Sequence, residues 1–198
     1  MKLVFATNNN NKVKEIRSLL GDVFEIITLH EAGIDIDIPE PHDTLEENAR
    51  EKSETIYKMT GQHCFSEDTG LEVFALNGAP GVISARYAGE QKSADDNITR
   101  LLQELQGKTN RSAQFRTVIS LIIDGKEQQF EGICPGHILT ERKGNGGFGY
   151  DPVFVPEGAT RSFAEMNLSE KNQYSHRARA FAKLVQHLRS ITDQEFTN

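Results

Sequence analysis

Two β-rich runs, QFRTVISLII at 114–123 and EQQFEGI at 127–133, are separated only by Asp124-Gly125-Lys126. Asp-Gly between strand-like segments is the strongest short hairpin signal, because both residues tolerate the positive φ of a tight reversing turn. The N-terminus asks for something different. KLVFA at 2–6 reads as a buried strand that runs through polar TNNNN into a helix from about Lys12, with Val13, Ile16, Leu19 and Leu20 at helical spacing. A hairpin in one place and a strand feeding a helix in another require a sheet with both kinds of neighbour, so the chain is expected to be α/β with a mixed sheet flanked by helices.

The remaining segments fit that frame. FEIITL at 24–29 is a short strand, and EAGIDIDIPEPHD at 31–43 is irregular because of its two prolines. A second helix starts at Asp43 or Thr44, where Thr44 and Glu47 match a capping box, and its stripe is Leu45, Ala49, Lys52, Ile56 and Met59. HCFSE reads as a strand, DTG as a turn, and LEVFAL as a further apolar stretch before the loop NGAPGVISARYAGE. Ser93 caps a third helix carrying Ile98, Leu101, Leu102 and Leu105, which Gly107 ends. GHIL is one more strand, and the last helices cover about 169–191, with Phe181, Leu184, Val185 and Leu188 facing the core. No repeat or linker interrupts the 198 residues, so a single domain over 1–198 is expected.

Composition removes whole classes of partner. The formal net charge of -7 argues against a nucleic acid polymer or an anionic membrane surface, which draw on clustered Lys and Arg. A small anion brought in with a divalent metal is compatible with that charge. The longest apolar run, VISLII, is far below membrane-spanning length and the N-terminal one is too short for a signal-peptide core, so a cytoplasmic protein is expected. Cys64 and Cys134 lie in strand-like runs without ligand spacing and read as reduced core residues.

Several segments could carry chemistry. In the first loop, unpaired N–H groups at a helix start, the Thr7 hydroxyl, the amides of Asn8, Asn9, Asn10 and Asn11 and the Lys12 ammonium together suit a phosphate; the plainer reading is a polar connector in which an asparagine caps the helix. Lys52 occupies a position in an apolar stripe, where an unpaired ammonium is costly, so it either meets an anion or snorkels. Glu67 and Asp68 close an apolar strand, a usual ligand position in α/β sheets, and Glu40 in IPEP is a candidate second ligand for a hard cation such as Mg²⁺. Each acid could equally be a solvated turn residue or a cap.

KGNGGFGYDPVF at 143–154 places four glycines among six residues, followed by Tyr150 and Asp151. Glycines let backbone wrap closely around a flat ligand, Phe148 or Tyr150 offers a ring to stack on, and Asp151 could bond a ring edge; alternatively the segment is a wide turn with its aromatics in the core. Lys171, His176 and Arg177 in SEKNQYSHRARA either favour a keto oxygen, and so a 6-oxo purine, or form a solvated basic face.

Taken in order, ATNNNNK, IPEP, LEENAREK, SEDTGLEV, GAPGVISARYAG, GGFGYDPVF and EKNQYSHRARA resemble the inosine/xanthosine triphosphate pyrophosphatases, the RdgB-like family, over nearly the whole chain. The resemblance implies an elongated α/β structure with two lobes around a deep central cleft, a homodimer, and Mg²⁺-dependent hydrolysis of ITP, dITP or XTP to monophosphate and pyrophosphate. It also implies that the Thr7–Lys12 loop and Lys52 grip the triphosphate. Asp68 would be general base and metal ligand, with Glu40 and Glu67 beside the metal and Thr69 at the substrate. Phe148, Gly149, Tyr150, Asp151, Lys171, His176 and Arg177 would hold the base. Asn8 departs from the family, which usually has Gly there. Two rival readings are a Maf-like pyrophosphatase acting on dTTP or UTP and a non-catalytic purine nucleotide sensor.

Overall fold

The computed structural model describes residues 1–20 and 24–195. Its elements begin with β1 (Lys2–Phe5), α1 (Asn10–Leu20), β2 (Glu25–Thr28) and α2 (Leu45–Thr60). They continue with β3 (Cys64–Val73), β4 (Pro80–Gly81), α3 (Ala94–Glu104), β5 (Ser112–Ile123) and β6 (Lys126–Ile138). β7 (Phe154–Pro156), α4 (Leu168–Asn172) and α5 (His176–Glu195) complete the order. Among the described residues the sheet is ordered β2-β1-β3-β5-β6-β7, with β4 on β3. β1 is parallel to both β2 and β3, while β4 and β7 run antiparallel to β3 and β6, so the sheet is mixed as expected.

Local chemistry sets the element ends. α1 begins at Asn10, earlier than expected, because Asn9 Oδ1 accepts the N–H groups of Asn11 and Lys12 at 3.0 and 3.2 Å and thereby caps the first turn. Thr44 caps α2 by accepting from Glu47 N–H at 3.2 Å, and Ser93 caps α3 by accepting from Asp96 N–H at 3.2 Å. Asp124 and Gly125 both have positive φ, 49° and 76°, which is the tight turn that their sequence announced.

Three expectations need correction. No turn forms at Asp68-Thr69-Gly70; β3 passes straight through. Gly70 serves close approach instead, since a Cβ there would lie 2.6 Å from the Gly81 carbonyl oxygen on β4. EQQFEGI and GHIL are one strand, β6, in which Pro135 offers its carbonyl to Glu157 N–H at 2.9 Å. Met59 is exposed, and the inward face of α2 is polar as well as apolar: Leu45, Asn48, Ala49, Lys52, Ser53 and Ile56.

The chain divides into two compact units, each discontinuous in sequence. The first comprises Met1–Asp68, Thr117–Gly132 and Arg177–Asn198, and the second Thr69–Arg116 and Ile133–His176. In the first, Phe5 and Phe65 stack at 4.4 Å within a core that includes Ile16, Ile119, Phe181, Leu184 and Leu188. In the second, Leu71, Leu101, Phe115, Phe154 and Phe163 form the core. Both cysteines are buried free thiols, and no helix among the described residues is long and apolar enough to cross a membrane.

Candidate active site

In the first unit the loop after β1 is organised by its own side chains. Thr7 Oγ1 accepts from Asn9 N–H at 3.1 Å, and Asn9 in turn caps α1, so the capping role weighed for this loop is the one Asn9 fills. Asn10 and Asn11 are exposed at the first turn. Lys12 points to the end of β3, where its ammonium lies 3.0 Å from Glu67 Oε1.

Glu67, expected beside the metal, has both oxygens committed to cations. Arg177 Nε reaches Oε2 at 2.8 Å and Nη2 reaches Oε1 at 3.0 Å, and Arg177 Nη1 bonds Glu15 on α1. Arg177, expected at the base, is itself 2% exposed. Burial opposes the charge on Glu67, but Arg177 and Lys12 outweigh it and hold the carboxyl well below its usual range. Glu15 escaped the sequence reading because it stands at the edge of the Val13, Ile16, Leu19 and Leu20 stripe, four residues before Leu19, and only the structure shows it buried.

Lys52 meets anions rather than snorkelling. Its ammonium lies 2.5 Å from Glu40 Oε1 and 3.3 Å from Asp68 Oδ1. Burial alone would strip its charge, yet Asp68 and Glu40 raise its pKa. Asp68 feels the reverse balance. Burial, the largest influence, and the Glu40 carboxylate push its pKa up, against the pull of Lys52 and Lys12. Its other oxygen, Oδ2, is buried and has no hydrogen-bond partner. Among the described residues no group of three His, Cys, Asp or Glu side chains is placed to hold a metal ion, and Glu67 turns both its oxygens to Lys12 and Arg177. What remains is a pair, Asp68 and Glu40, joined through Lys52. One or two carboxylates completed by water and substrate phosphates is the donor set Mg²⁺ accepts, and the orphaned Oδ2 fits such an ion.

The second unit holds the glycine-rich segment. Its glycines make room for the protein's own backbone and carboxylate: a Cβ on Gly144 would lie 2.5 Å from Ala164, and one on Gly147 would lie 2.0 Å from Asp151 Oδ2. That oxygen accepts from Phe148 N–H at 3.0 Å and from the buried Lys171 ammonium at 2.5 Å. Lys171 also lies 5.0 Å from the centre of the half-buried Phe148 ring. Tyr150 is a core residue whose hydroxyl donates to the Ser84 carbonyl at 2.7 Å, so of the two aromatics proposed for stacking it is the one turned inward. His176 stacks on Phe115 at 4.6 Å, a partner that sequence spacing could not reveal. Thr69 is half-buried beside Gly70 on β3.

The Ham1 family model matches residues 3–187. The chain belongs to the Ham1 family. Among its relatives, the dITP/XTP pyrophosphatase of Flavobacterium johnsoniae is 51% identical over 185 residues, covering 93% of this chain and 96% of its own. The dITP/XTP pyrophosphatase of Porphyromonas gingivalis is 55% identical over 184 residues, covering 92% and 95%. The solved Ham1 protein of Staphylococcus aureus superposes with a TM-score of 0.86 at 40% identity, over 96% of this chain and 99% of that one. The Ham1 fold is therefore the α/β fold with a mixed sheet described above.

Proposed function

We propose that this chain hydrolyses non-standard purine nucleoside triphosphates, dITP, XTP and ITP, to the monophosphate and pyrophosphate, with Mg²⁺ as cofactor. The names of its relatives support the substrate class, and Asp68 Oδ2 carries the chemical argument. Bound Mg²⁺ would be held by Asp68 and Glu40 and would supply a lowered water pKa and neutralised phosphate oxygens. Asp68 is buried, carries a raised pKa and has one oxygen with no partner, so it can orient a water and take its proton. As the water oxygen bonds to phosphorus, the α–β anhydride breaks and pyrophosphate departs. Lys12 and Lys52 then share their carboxylate contacts with the phosphate oxygens and offset the charge that grows on the leaving group.

In the other unit, Phe148, Gly149, Asp151, Lys171 and His176 hold the base, with Tyr150 bracing the segment from the core and Thr69 meeting the substrate. Arg177 contributes by fixing Glu67 and Glu15 in place. The protein works as a cytoplasmic homodimer, with neither nucleic acid polymer nor membrane as partner. A Mg²⁺-dependent assay on ITP, XTP, dITP, GTP, ATP and dTTP tests the reading by scoring pyrophosphate against orthophosphate. Pyrophosphate released preferentially from ITP, dITP and XTP is expected. Preference for dTTP or UTP would favour the Maf-like reading, and tight purine binding without turnover would favour a sensor.

A further inference from the structure

Glu40 sits between Pro39 and Pro41 in residues 35–41, which take no regular structure. Lys52 holds its carboxylate and Ile36 and Ile38 pack on the core, but the backbone of such a segment gains a fixed course when side chains from elsewhere bond its polar groups. Two asparagines do this from either side in sequence. Asn8 Nδ2 donates to the Ile36 carbonyl at 2.8 Å, four residues before Glu40. Asn48, fully buried on α2, accepts from His42 N–H at 2.9 Å and donates to the His42 carbonyl at 3.1 Å, two residues after Glu40. A side-chain amide can serve both polar groups of one residue in this way because it carries a donor and an acceptor together.

The placement of both asparagines is specific. Asn48 precedes Lys52 by four residues on the same inward face of α2, so one helix face holds the segment backbone with Asn48 and the Glu40 carboxylate with Lys52. Asn8 does not have positive φ, so left-handed backbone does not explain an asparagine there. Its side chain does. The bond to Ile36 ties the loop that starts α1, and with it Lys12, to the segment carrying Glu40.

We infer that Asn8 and Asn48 are positioning residues for Glu40, clamping residues 36–42 to the first loop and to α2. The functional consequence rests on the reading above that Glu40 serves the Mg²⁺ side of the site. Removing either anchor widens the range of Glu40 positions and weakens the metal donor pair.

The test uses amide hydrogen exchange together with Mg²⁺ titration of activity in the full-length protein. In Asn48→Ala the His42 amide should exchange roughly tenfold faster, and Asn48→Asp, which keeps the acceptor, should restore part of the protection. Asn8→Gly, a surface change that leaves the core intact, should speed exchange across 36–42. Both Asn8→Gly and Asn48→Ala should raise the Mg²⁺ concentration for half-maximal activity roughly three- to tenfold, and in Asn48→Ala KM for ITP should move much less. In a Glu40→Gln background the Asn8→Gly shift should vanish, because the two act through one group. Unchanged exchange over 36–42 would overturn the clamp, and an undiminished Asn8→Gly shift in that background would overturn its route through Glu40. If Glu40→Gln alone leaves the Mg²⁺ requirement unaltered, the role given to Glu40 fails and takes the positioning role with it, while the exchange data separately decide the clamp.

Discussion

Arg177 grips Glu67 at two points, Nε to Oε2 at 2.8 Å and Nη2 to Oε1 at 3.0 Å, with both side chains shut away from solvent. Its remaining arm engages Glu15. Arg177→Ala would strip the guanidinium from two buried carboxylates and leave Glu67 with Lys12, a loss of about 3–5 kcal/mol. For a chain of this size that corresponds to a fall in Tm of roughly 6–20 °C. The sign with pH follows from Glu67, whose pKa is lowered from 4.5 in the fold: the stabilisation is present above about pH 4.5 and fades as pH falls toward the depressed folded value. Wild type and Arg177→Ala should therefore converge in stability in strong acid, and melts from pH 7 downward check this. A constant gap at every pH would remove Glu67 as the cause.

Asp68→Asn should lower kcat by roughly 100- to 10,000-fold, the range for loss of a general base. The fold should survive, because a neutral amide is easier to bury than the carboxylate, and Lys52 keeps Glu40 as its partner. Steady-state rates beside a thermal melt separate the two effects. Retained turnover in a folded variant would take Asp68 out of its role.

Lys52→Met should move the acid limb of the kcat/KM profile to higher pH. Burial already raises the pKa of Asp68, and Lys52 is the foremost influence pulling it down. Without that ammonium a larger share of Asp68 is protonated at any given pH, so the base form appears later as pH rises. A limb that stays put or moves to lower pH would mean that Asp68 is not the group titrating.

Gly147→Ala and Gly149→Ala give a paired comparison. Both glycines have positive φ, 68° and 58°, so each alanine is strained by about 1–2 kcal/mol. Only at Gly147 would the new Cβ strike Asp151 Oδ2; at Gly149 nothing lies within 4 Å. Gly147→Ala should therefore dislodge Asp151 from Lys171 and raise KM for ITP by roughly tenfold or more, as expected for a lost charged hydrogen bond. Gly149→Ala should change stability slightly and KM little. Equal KM effects would show that strain alone matters in this segment.

Legibility in the sequence followed the range of each signal. The Asp124-Gly125 hairpin and the caps at Thr44 and Ser93 depend on neighbours a few residues away, and all three stand in the structure. Lys52 betrayed a buried anion because a cation in an apolar stripe demands one. Gly70 misled, since a glycine that admits a neighbouring strand is spelled like one that makes a turn. Glu15 carried no such signal, because it stands at the edge of its stripe with charged Lys12 three residues before it. β7 was missed because three residues show no alternation.

The sequence by itself determined the mixed sheet, the Asp124-Gly125 turn, the caps at Thr44 and Ser93 and the inward cation at Lys52, since propensity, capping and periodicity act within a few residues. Tertiary structure decided who meets whom. Arg177 joins Glu67 across 110 positions and Glu15 across 162, and Asn48 reaches back to His42. Such partners are chosen by burial, which makes an unpaired charge too costly to keep and so fixes each acid to whichever cation the fold brings alongside.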